Sequence, residues 1–243
     1  MILTYGDSKI GLVRKLNEDA IDLSVPSLFI LADGMGGYAG GQIASHMAVE
    51  QAAGFFTKDT EKTFSEASLK ESVLCANEAI LKEKKDNPNL SSMGTTMVIA
   101  AISQDTLYWA HVGDSRLYVM DEGQLSQITV DHSFVMELVT EGKISKEEMR
   151  FHPRKNEITR AVGIDDILKV DTGHLTLKKG DFVLLCSDGL SGMVEDETIQ
   201  QVLLECPGHS DADLKKTGER LMDLVYEAGA RDNVSIILGY FKD

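Results

Sequence analysis

Short apolar runs alternate along the chain with longer amphipathic stretches, and this pattern predicts a mixed α+β protein. The short runs are rich in β-branched and aromatic residues, which is typical of strands. They cover residues 2–5, 28–32, 96–102, 107–112, 117–120, 182–186 and 234–241. The close spacing of the third, fourth and fifth runs predicts that these three form one antiparallel meander.

Helices are predicted where apolar residues recur at intervals of three and four positions, as Val49, Ala52, Ala53 and Phe56 do. The helical stretches cover residues 41–56, 65–85, 133–141, 196–205 and 211–228. These helices stand between groups of strands and do not alternate with single strands. The order therefore favours a mixed sandwich with helices packed outside over a doubly wound parallel sheet.

We expect a single domain over residues 1–243, because sandwiches of this length often fold around one core. Within it, residues 132–163 form the most polar and mixed-charge insertion. Such an insertion is typical of a mobile flap beside a site, and equally of a solvated helical excursion. The sequence pattern leaves both interpretations open.

Charge and composition restrict the partners and the compartment. The chain has 24 Lys and Arg against 39 Asp and Glu, a formal net charge of −15, so neither nucleic acid nor an anionic membrane is an expected partner. Cys75, Cys186 and Cys206 are far apart and form no CxxC pair, which favours a reducing compartment. Without a leader-like start or a long apolar run, a cytoplasmic, unprocessed monomer is expected.

Four aspartates stand at the edges of apolar runs, each beside a glycine or an asparagine: Asp33, Asp114, Asp188 and Asp232. One such aspartate is an ordinary turn residue. Four can converge when their strands lie side by side, and crowded carboxylates repel one another unless cations hold them. Asp33 is the candidate bridge between two ions, because a carboxylate has two oxygens that can each contact one ion. The glycines after it let the backbone approach a ligand closely.

The ligand types predict the ion and the reaction. Hard oxygen donors without histidine or thiolate favour Mg²⁺ or Mn²⁺, ions that suit phosphate substrates. Water shared by two such ions becomes a nucleophile near neutral pH, which indicates phosphoester hydrolysis. Arg14 is the candidate that grips the phosphate oxygens in a bidentate fork.

Other kinds of site find less support. Residues 34–39 satisfy the G-x-G-x-x-A form of a dinucleotide fingerprint. That fold requires a second strand ending in an acidic residue after the helix, and residues 57–63 are polar instead. A G-x-S-x-G nucleophile and an HExxH zinc pair are both missing from the sequence.

Taken in order, eight segments resemble the metal-dependent serine/threonine phosphatases of the protein phosphatase 2C (PP2C) class, specifically its compact bacterial branch. They run nearly from end to end, and together they are far more specific than any one of them. The segments are Gly11-Leu12-Val13-Arg14 with Asn17-Glu18-Asp19, Ala32-Asp33-Gly34-Met35-Gly36-Gly37, Gly94-Thr95-Thr96, Val112-Gly113-Asp114-Ser115-Arg116, Thr129-Val130-Asp131-His132-Ser133, His152-Pro153-Arg154 with Ile158-Thr159-Arg160-Ala161-Val162-Gly163, Ser187-Asp188-Gly189-Leu190 and Arg231-Asp232-Asn233.

The resemblance implies a fold and a set of metal ligands. The fold would be a four-layer α-β-β-α sandwich with two central, mainly antiparallel sheets and the metals at one end. Asp33 would bridge both ions, while Asp188 and Asp232 would complete one of them. The Gly34 carbonyl would reach the other ion.

Further residues are assigned by the same resemblance. Glu18 and Asp19 would act through metal-bound water. Asp114, together with Asp188, matches the residues that hold a third and more weakly bound ion in bacterial relatives. Arg14 matches the arginine that binds the phosphate. Residues 132–163 match the flap that influences substrate choice.

One departure concerns the general acid. Relatives in this branch commonly have histidine after the double glycine, where this chain has Tyr38. A phenol with a pKa of about 10 is protonated at neutral pH and can donate a proton, although it is a weaker acid than imidazolium. Tyr38 is therefore one candidate for the acid, and a metal-bound water is the other.

The implied activity is the hydrolysis of phosphoserine and phosphothreonine in proteins by a water or hydroxide that bridges two Mn²⁺ or Mg²⁺ ions. Phosphorylated proteins would be its partners, among them a bacterial Ser/Thr kinase, which it would oppose, and the substrates of that kinase. A non-catalytic member that binds phosphoproteins is a second interpretation, which the retention of every expected carboxylate disfavours. A phosphatase dedicated to one anti-sigma antagonist is a third, made less attractive by the lack of a sensory domain.

Overall fold

The computed structural model describes residues 2–37, 40–58, 62–208 and 210–242. Two antiparallel sheets lie at the centre of the molecule, and helices cover their outer faces. The strands are β1 (Ile2–Lys9), β2 (Asp19–Asp22), β3 (Leu28–Met35), β4 (Gly94–Thr95), β5 (Met97–Ser103), β6 (Thr106–Val112), β7 (Arg116–Asp121), β8 (Gln124–Gln127), β9 (Asp171–Thr176), β10 (Phe182–Cys186) and β11 (Val234–Phe241). The helices are α1 (Gly40–Thr57), α2 (Glu66–Asp86), α3 (Phe134–Thr140), α4 (Lys146–Met149), α5 (Asp188–Ser191), α6 (Asp196–Leu204) and α7 (Asp211–Glu227), with a 3₁₀ turn at Pro88–Leu90.

The strand order separates the two sheets clearly. One sheet has the order β1-β11-β10-β7-β8, and the other has the order β2-β3-β5-β6-β9 with β4 paired to β3. Each of these pairings is antiparallel. The predicted fold class, α+β with two antiparallel sheets flanked by helices, is confirmed.

The apolar pattern of β3 explains the layering. Leu28 and Ile30 face α1 and α2 on the outside of their sheet, while Phe29 and Leu31 face the other sheet. Because successive side chains of a strand point to opposite faces, a strand buried on both faces must be apolar throughout. The inter-sheet layer is completed by residues such as Ile237 of β11, and α6 and α7 cover the remaining outer face.

The sequence-based boundaries agree with the central strands and miss the peripheral ones. Strands over residues 182–186 and 234–241 coincide with β10 and β11, and the five predicted helices match α1, α2, α3, α6 and α7 within one residue at each end. By contrast, β2, β4, β8 and β9 were not predicted. Three of them, β2, β8 and β9, lie at sheet edges. The sequences QLSQ of β8 and DTGHLT of β9 also have mixed exposure, so these strands lack the apolar run that marks a central strand.

The predicted meander is wrong in its third strand. β5 and β6 form an antiparallel pair, but β7 leaves them and pairs with β10 and β8 in the other sheet. The crossing occurs at Gly113, whose φ of 111° is accessible to glycine without strain. A short connection therefore passes between layers here, where spacing alone suggested a hairpin.

Residues 132–163 project from the sandwich, and backbone hydrogen bonds hold the two ends of this segment together. The amide of Phe134 donates to the Glu157 carbonyl at 2.9 Å, and the amide of Thr159 donates to the His132 carbonyl at 2.8 Å. The excursion carries α3 and α4. Within the described ranges, no helix combines the length and the apolar character that crossing a bilayer requires.

Gly34 and Gly54 should respond in opposite ways to the addition of a methyl group. A Cβ at Gly34 would collide with the backbone carbonyls of Gly41 and Glu18, whereas a Cβ at Gly54 meets only the flexible side chain of Lys58 at 3.7 Å. We expect Gly34→Ala to lower the free energy of unfolding by about 2 kcal/mol or more. Gly54→Ala should raise it by about 0.5–1 kcal/mol, because alanine is the better helix former.

Urea unfolding of both variants beside the parent chain measures these changes. Equal effects of the two substitutions would contradict the close approach of α1 to Gly34.

Candidate active site

The acidic residues lie close together because antiparallel pairing brings the ends of their strands to the same end of the sandwich. Asp33 in β3 lies opposite Asp19 in β2. Cys186, the last residue of β10, lies between Arg116 of β7 and Ile236 of β11. Residues that follow β10 or precede β7 and β11 therefore emerge at the same end of the sandwich.

A cleft of about 300 Å³ opens at this end. It collects seven of the residues predicted from the sequence, although more than two hundred positions separate the first from the last. They are Arg14, Glu18, Asp33, Gly34, Asp114, Asp188 and Asp232.

Asp33 is fixed by hydrogen bonds to its backbone amide and carbonyl, so its carboxyl group is free to line the cleft. Its amide donates to Thr96 Oγ1 at 3.0 Å, and its carbonyl accepts from Thr95 Oγ1 at 2.8 Å. Thr96 Oγ1 is also 2.7 Å from Ser115 Oγ, the residue after Asp114. Thr96 thus connects the backbone segments that carry two of the acidic residues.

Asp19 lies behind the cleft and does not line it. It is only 3% exposed, and its Oδ2 accepts from Ser187 Oγ at 2.9 Å and from Ser235 Oγ at 2.7 Å. Its other oxygen, Oδ1, is buried and has no hydrogen-bond partner among the residues that the structure describes, and the same holds for Oε1 of Glu18. Two buried carboxyl oxygens therefore lack the partners that such groups normally have.

Burial and mutual repulsion raise the pKa of the acidic groups. Burial raises the pKa of Asp19 to about 7 and that of Asp188 to about 6, with neighbouring carboxylates adding to both shifts. The pKa values of Asp33 and Asp114 rise well above the usual range, first through burial and then through the other aspartates.

This donor set fits hard divalent cations. A bound cation would offset the electrostatic cost of crowding these carboxyl groups together. It could also contact the two buried oxygens that lack a hydrogen-bond partner among the described residues. Among the described residues, no three histidine, cysteine, aspartate or glutamate side chains are placed to hold one ion together. Mg²⁺-like ions keep several waters and need only one or two carboxylates each, so the set suits them better than an ion that requires a full protein cage.

Arg14 reaches the cleft from the loop between β1 and β2. Its Nη2 donates to Asp232 Oδ2 at 2.6 Å, and this hydrogen bond raises the pKa of Arg14. The guanidinium group has five N–H donors, so one bond to Asp232 leaves others for a ligand. The structure thus places Arg14, the residue predicted to bind phosphate, in contact with Asp232, a predicted metal ligand.

Asn233 is a supporting residue whose role the sequence did not disclose. Its Nδ2 donates to the carbonyls of Ile10 and Leu16 at 3.0 and 2.9 Å, and its Oδ1 accepts from the Glu18 amide at 2.9 Å. It therefore closes the loop that carries Arg14. The only sequence signal was its place beside Asp232 in a family motif.

The supporting roles of Ser187 and Ser235 were also missed. Ser187 belongs to a motif, but Ser235 lies inside a strand pattern with no mark of function. The candidate general acid, Tyr38, lies outside the described residues.

Asp19 should make the stability of the metal-free protein sensitive to pH. Its pKa of about 7 in the folded state exceeds the ordinary aspartate value of about 3.9, so ionisation costs stability as pH rises from about 4 to about 7. Asp19→Asn cannot ionise. In chelator, the free energy of unfolding of this variant relative to the parent should rise by on the order of 2 kcal/mol between pH 5 and pH 7.5.

Denaturant unfolding of both proteins at the two pH values tests this expectation. A difference that does not change with pH would show that Asp19 is already ionised at pH 5. Comparing the variant with the parent removes the contributions of groups that do not interact with Asp19, such as His111, whose pKa burial lowers to about 3.

Comparisons with known proteins agree on one family. The family model described as protein phosphatase 2C matches residues 13–235. Serine/threonine protein phosphatase PstP of Mycobacterium tuberculosis is 37% identical over 252 residues, which cover 100% of this chain and 46% of PstP. The chain thus spans about half the length of that relative.

Two further matches cover most of both chains. Serine/threonine phosphatase stp of Listeria monocytogenes is 34% identical over 218 residues, covering 87% of this chain and 83% of stp. The crystal structure of the catalytic domain of PstP in complex with two manganese ions superposes with a TM-score of 0.89 at 35% identity, covering 100% and 99% of the two chains. The chain therefore belongs to the protein phosphatase 2C family, in its branch of bacterial serine/threonine phosphatases, as the order of its motifs predicted.

Proposed function

We propose that this chain hydrolyses phosphoserine and phosphothreonine in proteins with the help of two Mn²⁺ or Mg²⁺ ions. The observation that carries the proposal is the convergence of Asp33, Asp188 and Asp232 with Arg14 in one cleft. Carboxylates for divalent cations and a cation for phosphate are the two requirements of metal-assisted phosphoester hydrolysis. The names of its relatives support phosphoproteins as the substrate class.

The aspartates at the cleft would hold the ions. Asp33 would bridge both, Asp188 and Asp232 would complete one, and the Gly34 carbonyl would serve the other, while Asp114 with Asp188 would hold a third. When bound, the ions would lower the pKa of a water lying between them and neutralise charge on the phosphate.

The chain's own residues would then position the substrate and the water. Arg14 would donate two parallel hydrogen bonds to phosphate oxygens, with Asp232 fixing the orientation of its guanidinium group. Asp19, fixed by Ser187 and Ser235, would direct its unpartnered Oδ1 towards the water of the site. Either Tyr38 or a metal-bound water would protonate the departing serine or threonine oxygen.

Residues 132–163 would act as a flap over the cleft within a single domain spanning residues 1–243. Asn156 and Ile158 from this segment line the cleft, which supports a role in substrate choice. The physiological partners would be a bacterial Ser/Thr kinase, which the phosphatase opposes, and the phosphoproteins made by that kinase.

Replacing the bridging carboxylate tests the metal mechanism. We expect Asp33→Asn to reduce Mn²⁺-dependent hydrolysis of p-nitrophenyl phosphate by about a thousandfold or more, because a neutral amide cannot bridge two cations. Asp105→Asn is the matched control. Asp105 lies in the exposed turn between β5 and β6, at the end of the sandwich away from the cleft, so this variant should keep its activity.

Activity that survives a chelator would remove metals from the mechanism. If phosphopeptides bind but no metal supports their hydrolysis, the non-catalytic interpretation is the correct one.

Arg14→Ala should raise the KM for a phosphopeptide by about ten- to a hundredfold while kcat changes by less than about threefold. If Arg14 binds the phosphate equally well in the ground state and the transition state, its loss raises KM and leaves kcat nearly unchanged. Lys15→Ala, at the exposed neighbouring position, is the control and should change neither constant. Steady-state kinetics measures both, and a loss confined to kcat would contradict this role.

A further inference from the structure

The loop that carries Arg14 exposes an unusual amount of apolar surface. The large apolar side chains Ile10, Leu12, Val13 and Leu16 are 38%, 64%, 65% and 43% exposed. Single exposed apolar residues are common and need no explanation. Four of them within seven positions of a turn are different, because turns favour polar residues and the chain as a whole is strongly charged. We call these four side chains the apolar rim.

The rim is held in place by backbone hydrogen bonds and not by its own burial. Asn233 bonds both ends of the loop through the carbonyls of Ile10 and Leu16, and the Leu12 amide donates to the Ala230 carbonyl at 2.8 Å. The loop is thereby fixed while its apolar side chains face solvent. A surface that is already ordered loses little conformational entropy when it binds a partner.

The rim is continuous with the candidate active site. Arg14 lies between Val13 and Lys15 in the chain, and its side chain lines the cleft. Consecutive residues of an extended peptide are about 3.3–3.6 Å apart. A phosphoresidue held by Arg14 would therefore bring its immediate neighbours to the positions next to Leu12 and Val13.

The chemistry of the rim selects the kind of neighbour. It offers hydrocarbon surface, and the cleft beside it is rich in aspartate. Neither an acidic nor a small polar side chain would gain from contact with this hydrocarbon surface. An apolar side chain would bury part of its own surface and part of the rim.

We infer that the apolar rim is a specificity surface for an apolar side chain within two residues of the phosphoserine or phosphothreonine in a protein substrate. This inference rests on the proposed phosphatase function and deepens it. Arg14 recognises the phosphate that all substrates share, whereas the rim distinguishes among the sequences around it.

The test uses two phosphothreonine peptides that differ only in the two residues on each side of the phosphothreonine, leucine in one and serine in the other. With Mn²⁺, the parent chain should hydrolyse the leucine peptide with a kcat/KM about fivefold higher, the effect expected when part of a leucine side chain is buried. In the double variant Leu12→Ser with Val13→Ser, the ratio should fall below about twofold.

Leu204→Ser is the matched control. Leu204 is 51% exposed and lies beside Gly123 in the turn after β7, at the end of that strand away from the cleft, so its replacement should leave the peptide ratio unchanged. Each variant's rate with p-nitrophenyl phosphate, which has no flanking residues, normalises the phosphate site. Should the double variant fail to fold, the single variant Val13→Ser answers the same question.

The outcomes separate this inference from the proposed function. A parent chain that hydrolyses neither peptide nor p-nitrophenyl phosphate with Mn²⁺ would overturn the proposed function. Active enzyme with equal kcat/KM for both peptides would overturn the specificity surface alone. A leucine preference that persists in the double variant would assign the selectivity to another part of the molecule and would also overturn the inference.

Discussion

The crowding of carboxyl groups in a poorly solvated site is the constraint on which the rest of the structure depends. The fold brings four aspartates and Asp19 together at one end of two sheets, where burial and like charge raise the pKa values of Asp19, Asp33, Asp114 and Asp188. A protein stable without ligands would gain nothing from this arrangement. Under the proposed function, bound cations would remove this destabilisation.

The remainder of the site consists of neutral polar groups that fix these carboxyl groups in place. Thr96 holds the Asp33 amide and contacts Ser115, while Ser187 and Ser235 orient one oxygen of Asp19. Hydroxyl groups can do this without adding charge, so they organise the cluster and leave its net charge unchanged. Each of these contacts joins segments distant in the chain, which makes the geometry of the site dependent on the complete sandwich.

The apolar pattern of the sequence predicted strands well where both faces of the strand are buried, and poorly where only one face is buried. β10 and β11 are almost entirely apolar because both of their faces are largely covered, and their limits followed from the sequence. β8 and β9 have an exposed face and an edge position, so their residues resemble loops. The meander prediction failed at β7 because spacing along a chain does not show when a connection at Gly113 crosses between layers.

The sequence by itself determined the family, the α+β class and the identity of the acidic residues, because motif order and apolar periodicity are properties of the chain. It could not determine which side chains face the cleft and which lie behind it. Asp19 and Glu18 are neighbours, yet only Glu18 lines the cleft, because alternate residues at a strand start point to opposite sides. The support from Asn233 to the Arg14 loop was likewise decided by tertiary packing, since only that packing brings together residues more than two hundred positions apart.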